Sequence, residues 1–88
     1  MPKYISAHVI ACMPHQRLQK LLREMQAEKG DVLCLKAYCD TLQGRMVCEF
    51  EAPNGAVLAE WLKARKIAYQ WIFRVEFFAE NGEVERYA

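Results

Sequence analysis

Long apolar runs are missing from these 88 residues. The longest fall far short of the roughly 20 residues that cross a bilayer, so no transmembrane helix is expected. An excess of one charge sign is missing too: 12 Lys and Arg stand against 11 Asp and Glu, intermixed along the chain. That excludes the concentrated basic stripe on which nucleic-acid affinity rests. Neither a nucleic acid nor a membrane is therefore an expected partner. Histidine is scarce, with only two copies, and no full set of zinc-type ligands occurs at close spacing. A phosphate-cradling glycine loop, a nucleotide fingerprint and a Ser–His–Asp order are all absent. The opening "MPKYISAHVIA" has one lysine but no long apolar core followed by a small-residue cleavage site. It predicts no signal peptide and a cytoplasmic protein.

What is present is enough apolar material, 53% of residues, for one compact core. The length predicts a single domain over 1–88. A domain of this size buries a modest share of its surface and is often marginal alone, so self-association is expected. The four cysteines are Cys12, Cys34, Cys39 and Cys48. An even count allows two disulfides in a secreted domain. A reducing cytosol favours free thiols packed as small hydrophobes, with metal or redox roles as the alternative.

"YISAHVI" (4–10) alternates and is rich in β-branched and aromatic types, which predicts a strand. Over 13–30, Leu18, Leu21, Leu22 and Met25 fall at i, i+3, i+4 and i+7, one stripe of a helix. Pro14 suits its first turn and Gly30 the position just past its end. "DVLCLKAYC" (31–39) and "RMVCEFE" (45–51) are strands joined by the polar, glycine-containing "DTLQG" (40–44). A second helix over 52–68 is capped by Asn54 and carries Leu58, Trp61 and Leu62 on its apolar face, joined by Val57 and the stem of Arg65. "YQWIFRVEFFAE" (69–80) is a fourth strand, and Asn81-Gly82 predicts a tight turn into a short returning strand over 83–88.

The order β-α-β-β-α-β is the ferredoxin-like plan, an α+β sandwich. Right-handed crossovers put both helices on one face of a four-stranded antiparallel sheet, with the first and third strands central. The other face is left uncovered.

Side chains alternate between these faces. A four-residue loop pairs Asp40 with Arg45, Cys39 with Met46, Tyr38 with Val47, Ala37 with Cys48, Lys36 with Glu49 and Leu35 with Phe50, and paired residues share a face. Leu33, Leu35, Ala37, Cys39, Met46, Cys48 and Phe50 then form the helix-covered core. Ile5, Ala7 and Val9 of the first strand are expected to join them. So are Trp71, Phe73, Val75 and Phe77 of the fourth. The open face would gather His8, Lys36, Tyr38, Glu49, Arg74 and Glu76, with Tyr4, Ser6, Cys34, Val47 and Ile72. A one-residue slip in any strand would exchange the two sets.

A polar open face is the ordinary condition of an antiparallel sheet. Mixed charged, aromatic and aliphatic residues also suit a small-ligand pocket closed by a second copy. His8 and Glu49 pair best as metal ligands or as acid and base, since imidazole and carboxylate both bind nickel, zinc or iron. Glu49 paired with Lys36 is the structural alternative. Tyr38, Lys36, Arg74 and Glu76 are the expected ligand-binding residues. Cys12 and His15 have C-x-x-H spacing but lack further ligands.

The opening "MPKY", the segment "AYCD…GRMVCEFEAPN" (37–54), and Ile72 and Val75 resemble a small bacterial family of ferredoxin-like proteins of about this length. The firmest part is Tyr38, Cys48, Ala52, Pro53 and Asn54. The family is largely of unknown function and includes a nickel-binding member. The resemblance implies the fold derived above and a dimer through the sheet faces.

The leading expectation is therefore a homodimeric binding protein whose open sheet face holds a transition metal of the nickel type or a small ligand. The alternative is a cofactor-free enzyme of the dimeric α/β-barrel type, oxygenase- or isomerase-like, acting on a small acidic or phenolic substrate. There His8 would be the general base and Arg74 the anion anchor.

Overall fold

A computed structural model describes residues 1–87. In chain order the elements are β1 (Lys3–Val9), α1 (His15–Ala27), β2 (Leu33–Asp40), β3 (Arg45–Glu51), α2 (Gly55–Ala64), β4 (Trp71–Arg74), β5 (Phe77–Glu80) and β6 (Glu83–Arg86). Four strands form an antiparallel sheet in the order β2-β3-β1-β4, and β5 and β6 form a separate two-stranded sheet. This α+β arrangement, with β1 and β3 central, is compatible with the ferredoxin-like plan.

The helices form where their apolar spacing predicts. In α1, Leu18 and Met25 are buried, and Leu21 and Leu22 are partly so. In α2, Leu58 and Leu62 are fully buried, and Trp61 packs edge-on against Phe50 at 5.5 Å between ring centres. Asn54 caps α2: its side-chain oxygen accepts from the Val57 N–H at 2.9 Å, pairing a first-turn donor that has no intrahelical partner. The Arg65 guanidinium lies 3.9 Å over the Trp61 ring and binds Glu28 through two nitrogens, tying the end of α2 to the end of α1.

The β2–β3 hairpin keeps the predicted register from Asp40↔Arg45 to Lys36↔Glu49. Gly44 closes it at φ +68°, and its carbonyl accepts from Ile10 N–H at 2.8 Å. A Cβ at Gly44 would meet the Ala11 backbone at 3.0 Å. Gly44→Ala is therefore expected to cost about 2 kcal/mol, the left-handed penalty plus the displacement of Ala11. Urea unfolding measures it; a loss under about 0.5 kcal/mol would mean the loop re-forms elsewhere.

Three strands depart from expectation. The register Ser6↔Cys48, His8↔Met46 and Tyr4↔Phe50 places Tyr4, Ser6 and His8 beneath the helices, and Ile5, Ala7 and Val9 on the open face. β4 follows: Trp71 pairs with Ala7 and Phe73 with Ile5 on the open face, while Ile72 pairs with Ser6 on the helix side. The physical reason is that the polar members of β1 satisfy one another inside, so no penalty drives them out. In β2, a bulge between Cys34 and Lys36 brings Cys34, not Leu35, opposite Phe50. Cys34 is therefore buried in the core. The bulge inserts one residue, and face parity reverses across it.

The expected strand over 69–80 is also interrupted. It leaves the main sheet after Val75, whose N–H still donates to Lys3 O at 2.9 Å, and resumes as β5. Asn81 and Gly82, with φ of 52° and 80°, make the predicted turn into β6. Ala88, the last residue of the expected returning strand, lies outside the described residues.

Candidate open-face site

The uncovered face of the sheet is more apolar than its charge pattern suggested. Val9, Val47, Trp71, Phe73 and Tyr38 are all exposed on it, and Trp71 stacks on Phe73 at 5.2 Å. Ala7 sits between Trp71 and Val47, short enough to be shielded by both.

At one end of this face lies a cleft of about 360 Å³. Its floor is Ile5 and Phe73 of the main sheet, and Phe77 and Phe78 of the hairpin form the far wall. Lys3, Lys36, Glu49 and Glu80 supply the charge. Lys3 Nζ lies 3.2 Å from Glu49 Oε2, with the two side chains 24% and 22% exposed. Burial opposes the charge on Lys3, but the hydrogen bond and the charge of Glu49 outweigh it and raise the pKa above the ordinary lysine value. Lys3 also lies 4.6 Å from the centre of the Tyr87 ring, which anchors the hairpin over the sheet. Lys36 stands opposite Glu49 in register and is exposed.

Of the expected site residues, the structure unites Lys36 and Glu49 in this cleft and keeps Tyr38 on the same face, opposite Val47. It does not unite the others with them. Arg74 pairs with Tyr4, which puts it on the helix side of the edge strand. Glu76 lies between β4 and β5, outside the sheet. His8 is 2% exposed and lies on the face opposite Glu49. The two do not form a metal or acid–base pair.

His8 is instead a structural core group. Its Nδ1 lies 2.8 Å from the Ala68 carbonyl, an acceptor only, so Nδ1 carries the proton. Nε2 then accepts from the Ser6 hydroxyl at 2.7 Å. Burial lowers the His8 pKa below the ordinary histidine value, keeping the ring neutral. Ser6 is fully buried, and its hydroxyl is taken up by this bond.

The cysteines also divide by burial. Cys48 is fully buried in the core as its strand alternation predicts, and a hydrogen bond with Cys34 and its burial push its thiol above the ordinary range. The bulge carries Cys34 from the expected open face to the same interior. Cys12 and His15 are exposed. Among the described residues no group of three or more His, Cys, Asp or Glu is close enough to hold a metal ion. No helix among the described residues is long and apolar enough to cross a membrane.

Sequence reasoning missed Lys3, Phe73, Phe77 and Phe78 as lining residues. The available signal was that both alternating sets of β1 and of β4 contain large or branched side chains. Such strands are apolar on two faces and have something to cover on each.

Comparison with known proteins finds no matching family model, no matching curated protein and no matching solved structure.

Proposed function

We propose that the chain is a homodimeric binding protein, in which two open sheet faces stack and close the Lys3–Lys36–Glu49 cleft over a small ligand. The observation that carries this is the row of exposed Val9, Val47, Trp71, Phe73 and Tyr38 on one uncovered sheet. Contiguous apolar surface of this kind marks an interaction face. A second copy fits it because the face carries both signs, Arg45 and Lys36 beside Glu49, so a two-fold axis brings opposite charges together. The four strands hold 26 residues, and at about 3.3 Å per residue and about 4.8 Å between strands they present roughly 410 Å² per copy. With side-chain relief and the β5–β6 hairpin added, two copies approach the roughly 1,200 Å² of the smaller stable interfaces.

The ligand that suits the cleft is a planar apolar body with one acidic group. Phe73, Phe77 and Phe78 pack the body, and Lys36, whose cation has no ion-pair partner among the described residues, meets the acid. A metal fits less well, since the two lining carboxylates are Glu49, already paired with Lys3, and Glu80 on the hairpin, and His8 faces away. Sedimentation velocity tests the assembly. The native chain should run as a dimer and Trp71→Glu/Phe73→Glu as a folded monomer. A native monomer, or a dimer indifferent to both charges, overturns it. Native mass spectrometry tests the ligand: a bound organic acid should be retained by the native dimer and lost from Lys36→Ala.

A further inference from the structure

A second cleft, of about 390 Å³, opens on the helix side of the sheet and shares the lining residue Val9 with the proposed dimer face. It lies where β1 runs into α1 and where α2 runs into β4. Buried His8 and Met46 form its floor, and Met13, Leu21 and Ile67 its apolar walls. The charged residues that line it are all cations: Arg17, Arg65 and Lys66. Arg65 is already neutralised by Glu28. Arg17 and Lys66 have no ion-pair partner among the described residues.

Lys66 is the unusual member. The Lys66 N–H donates to Lys63 O at 3.0 Å and the Ile67 N–H to Leu62 O at 2.9 Å, the paired bonds of a Schellman helix end. That motif needs a left-handed residue, and Lys66 adopts φ 59°. Glycine fills this position without strain; a lysine does so at a cost in stability. Strain retained at such a point is a reason to look for a use of the side chain. Here the side chain belongs to the rim of an apolar cleft with a second unpaired cation.

We propose that this cleft binds a small amphiphilic carboxylate. Its carboxylate is held by Arg17 and Lys66, and its apolar chain lies against Met13, Met46 and Ile67. The cation pair supplies charge-assisted hydrogen bonds, and the methionine side chains adapt to an unbranched chain. His8, with both ring nitrogens occupied, contributes shape and not charge.

The test is titration of the whole chain, methyl-labelled at methionine, with sodium octanoate. Saturable shifts are expected at Met13 and Met46, with Met1 and Met25 as unmoved references. Neutral 1-octanol should bind about tenfold or more weakly, as should octanoate to Arg17→Gln, the share expected of one charge-assisted contact. Lys66→Gly is the decisive variant because its two effects have opposite signs. Relief of the left-handed strain should raise the melting temperature by roughly 4–8 °C, while octanoate affinity falls about tenfold. Octanol binding as well as octanoate overturns the proposal, as does inorganic phosphate competing equally. So does a stabilised Lys66→Gly with unchanged affinity. Shifts absent from Met13 and Met46 but present as quenching of open-face Trp71 would assign octanoate to the dimer-face cleft and overturn this site alone.

Discussion

Phe50→Ala should lower the unfolding free energy by about 3–5 kcal/mol, the range for removing a buried phenyl group and leaving its cavity. Phe50 is fully buried at the centre of the helix-covered face. It pairs in register with Tyr4 on one side and Cys34 on the other, and meets the Trp61 ring edge-on. The site cannot collapse easily, because backbone strands fix two of its walls and α2 the third. A domain of this length has roughly 4–13 kcal/mol of stability in all. The variant is therefore expected to be substantially unfolded near the lower end of that range and clearly shifted in urea midpoint at the upper end. Phe50→Leu, which keeps most of the volume, should lose less than half as much. Equal losses for the two variants would show that ring shape, and not cavity volume, governs this site.

Much of that core was legible in the sequence. Met46, Cys48 and Phe50 alternate with Arg45, Val47 and Glu49, so β3 carries a clear inside and outside. The loop length then set the hairpin pairing as far as Lys36↔Glu49, and the helical stripes and the Asn54 cap follow from spacing and side-chain chemistry. The element order determined which strands are central.

The facing of β1 and β4 was not legible for a physical reason. Alternation identifies a buried face only when the other face is solvated. In β1 the odd positions Ile5, Ala7 and Val9 are apolar, yet they form the uncovered face. The even positions include Ser6 and His8, whose polarity argues for solvent. Two polar residues at i and i+2 share a face, however, and can satisfy each other there. The Ala68 carbonyl, distant in sequence, completes the network. That partner is visible only in three dimensions. The bulge near Leu35 is likewise a property of the paired strands and not of either alone. For the candidate site, Lys36, Glu49 and Tyr38 followed from the hairpin, whereas Lys3 and the phenylalanines followed from the facing that alternation misassigned.

His8 offers the second large expected effect. His8→Ala should cost about 3–4 kcal/mol at pH 7.5, since it opens a cavity and strands both the Ser6 hydroxyl and the Ala68 carbonyl inside the protein. The same residue sets a pH dependence whose sign follows from its lowered pKa. Above about pH 6.5, the ordinary histidine value, folded and unfolded chains both hold neutral imidazole, and His8 contributes its full stability. Below it the unfolded chain takes up a proton that the folded chain refuses. Stability from His8 then falls by up to about 1.4 kcal/mol per pH unit until the lower folded value is reached. The gap between native and His8→Ala proteins should therefore narrow as the pH falls below about 6.5. Urea midpoints across that window read it directly. A gap that widened on acidification would require His8 to be protonated in the folded chain. That would demand a carboxylate beside it, and the two groups bonded to its ring are the Ser6 hydroxyl and the Ala68 carbonyl.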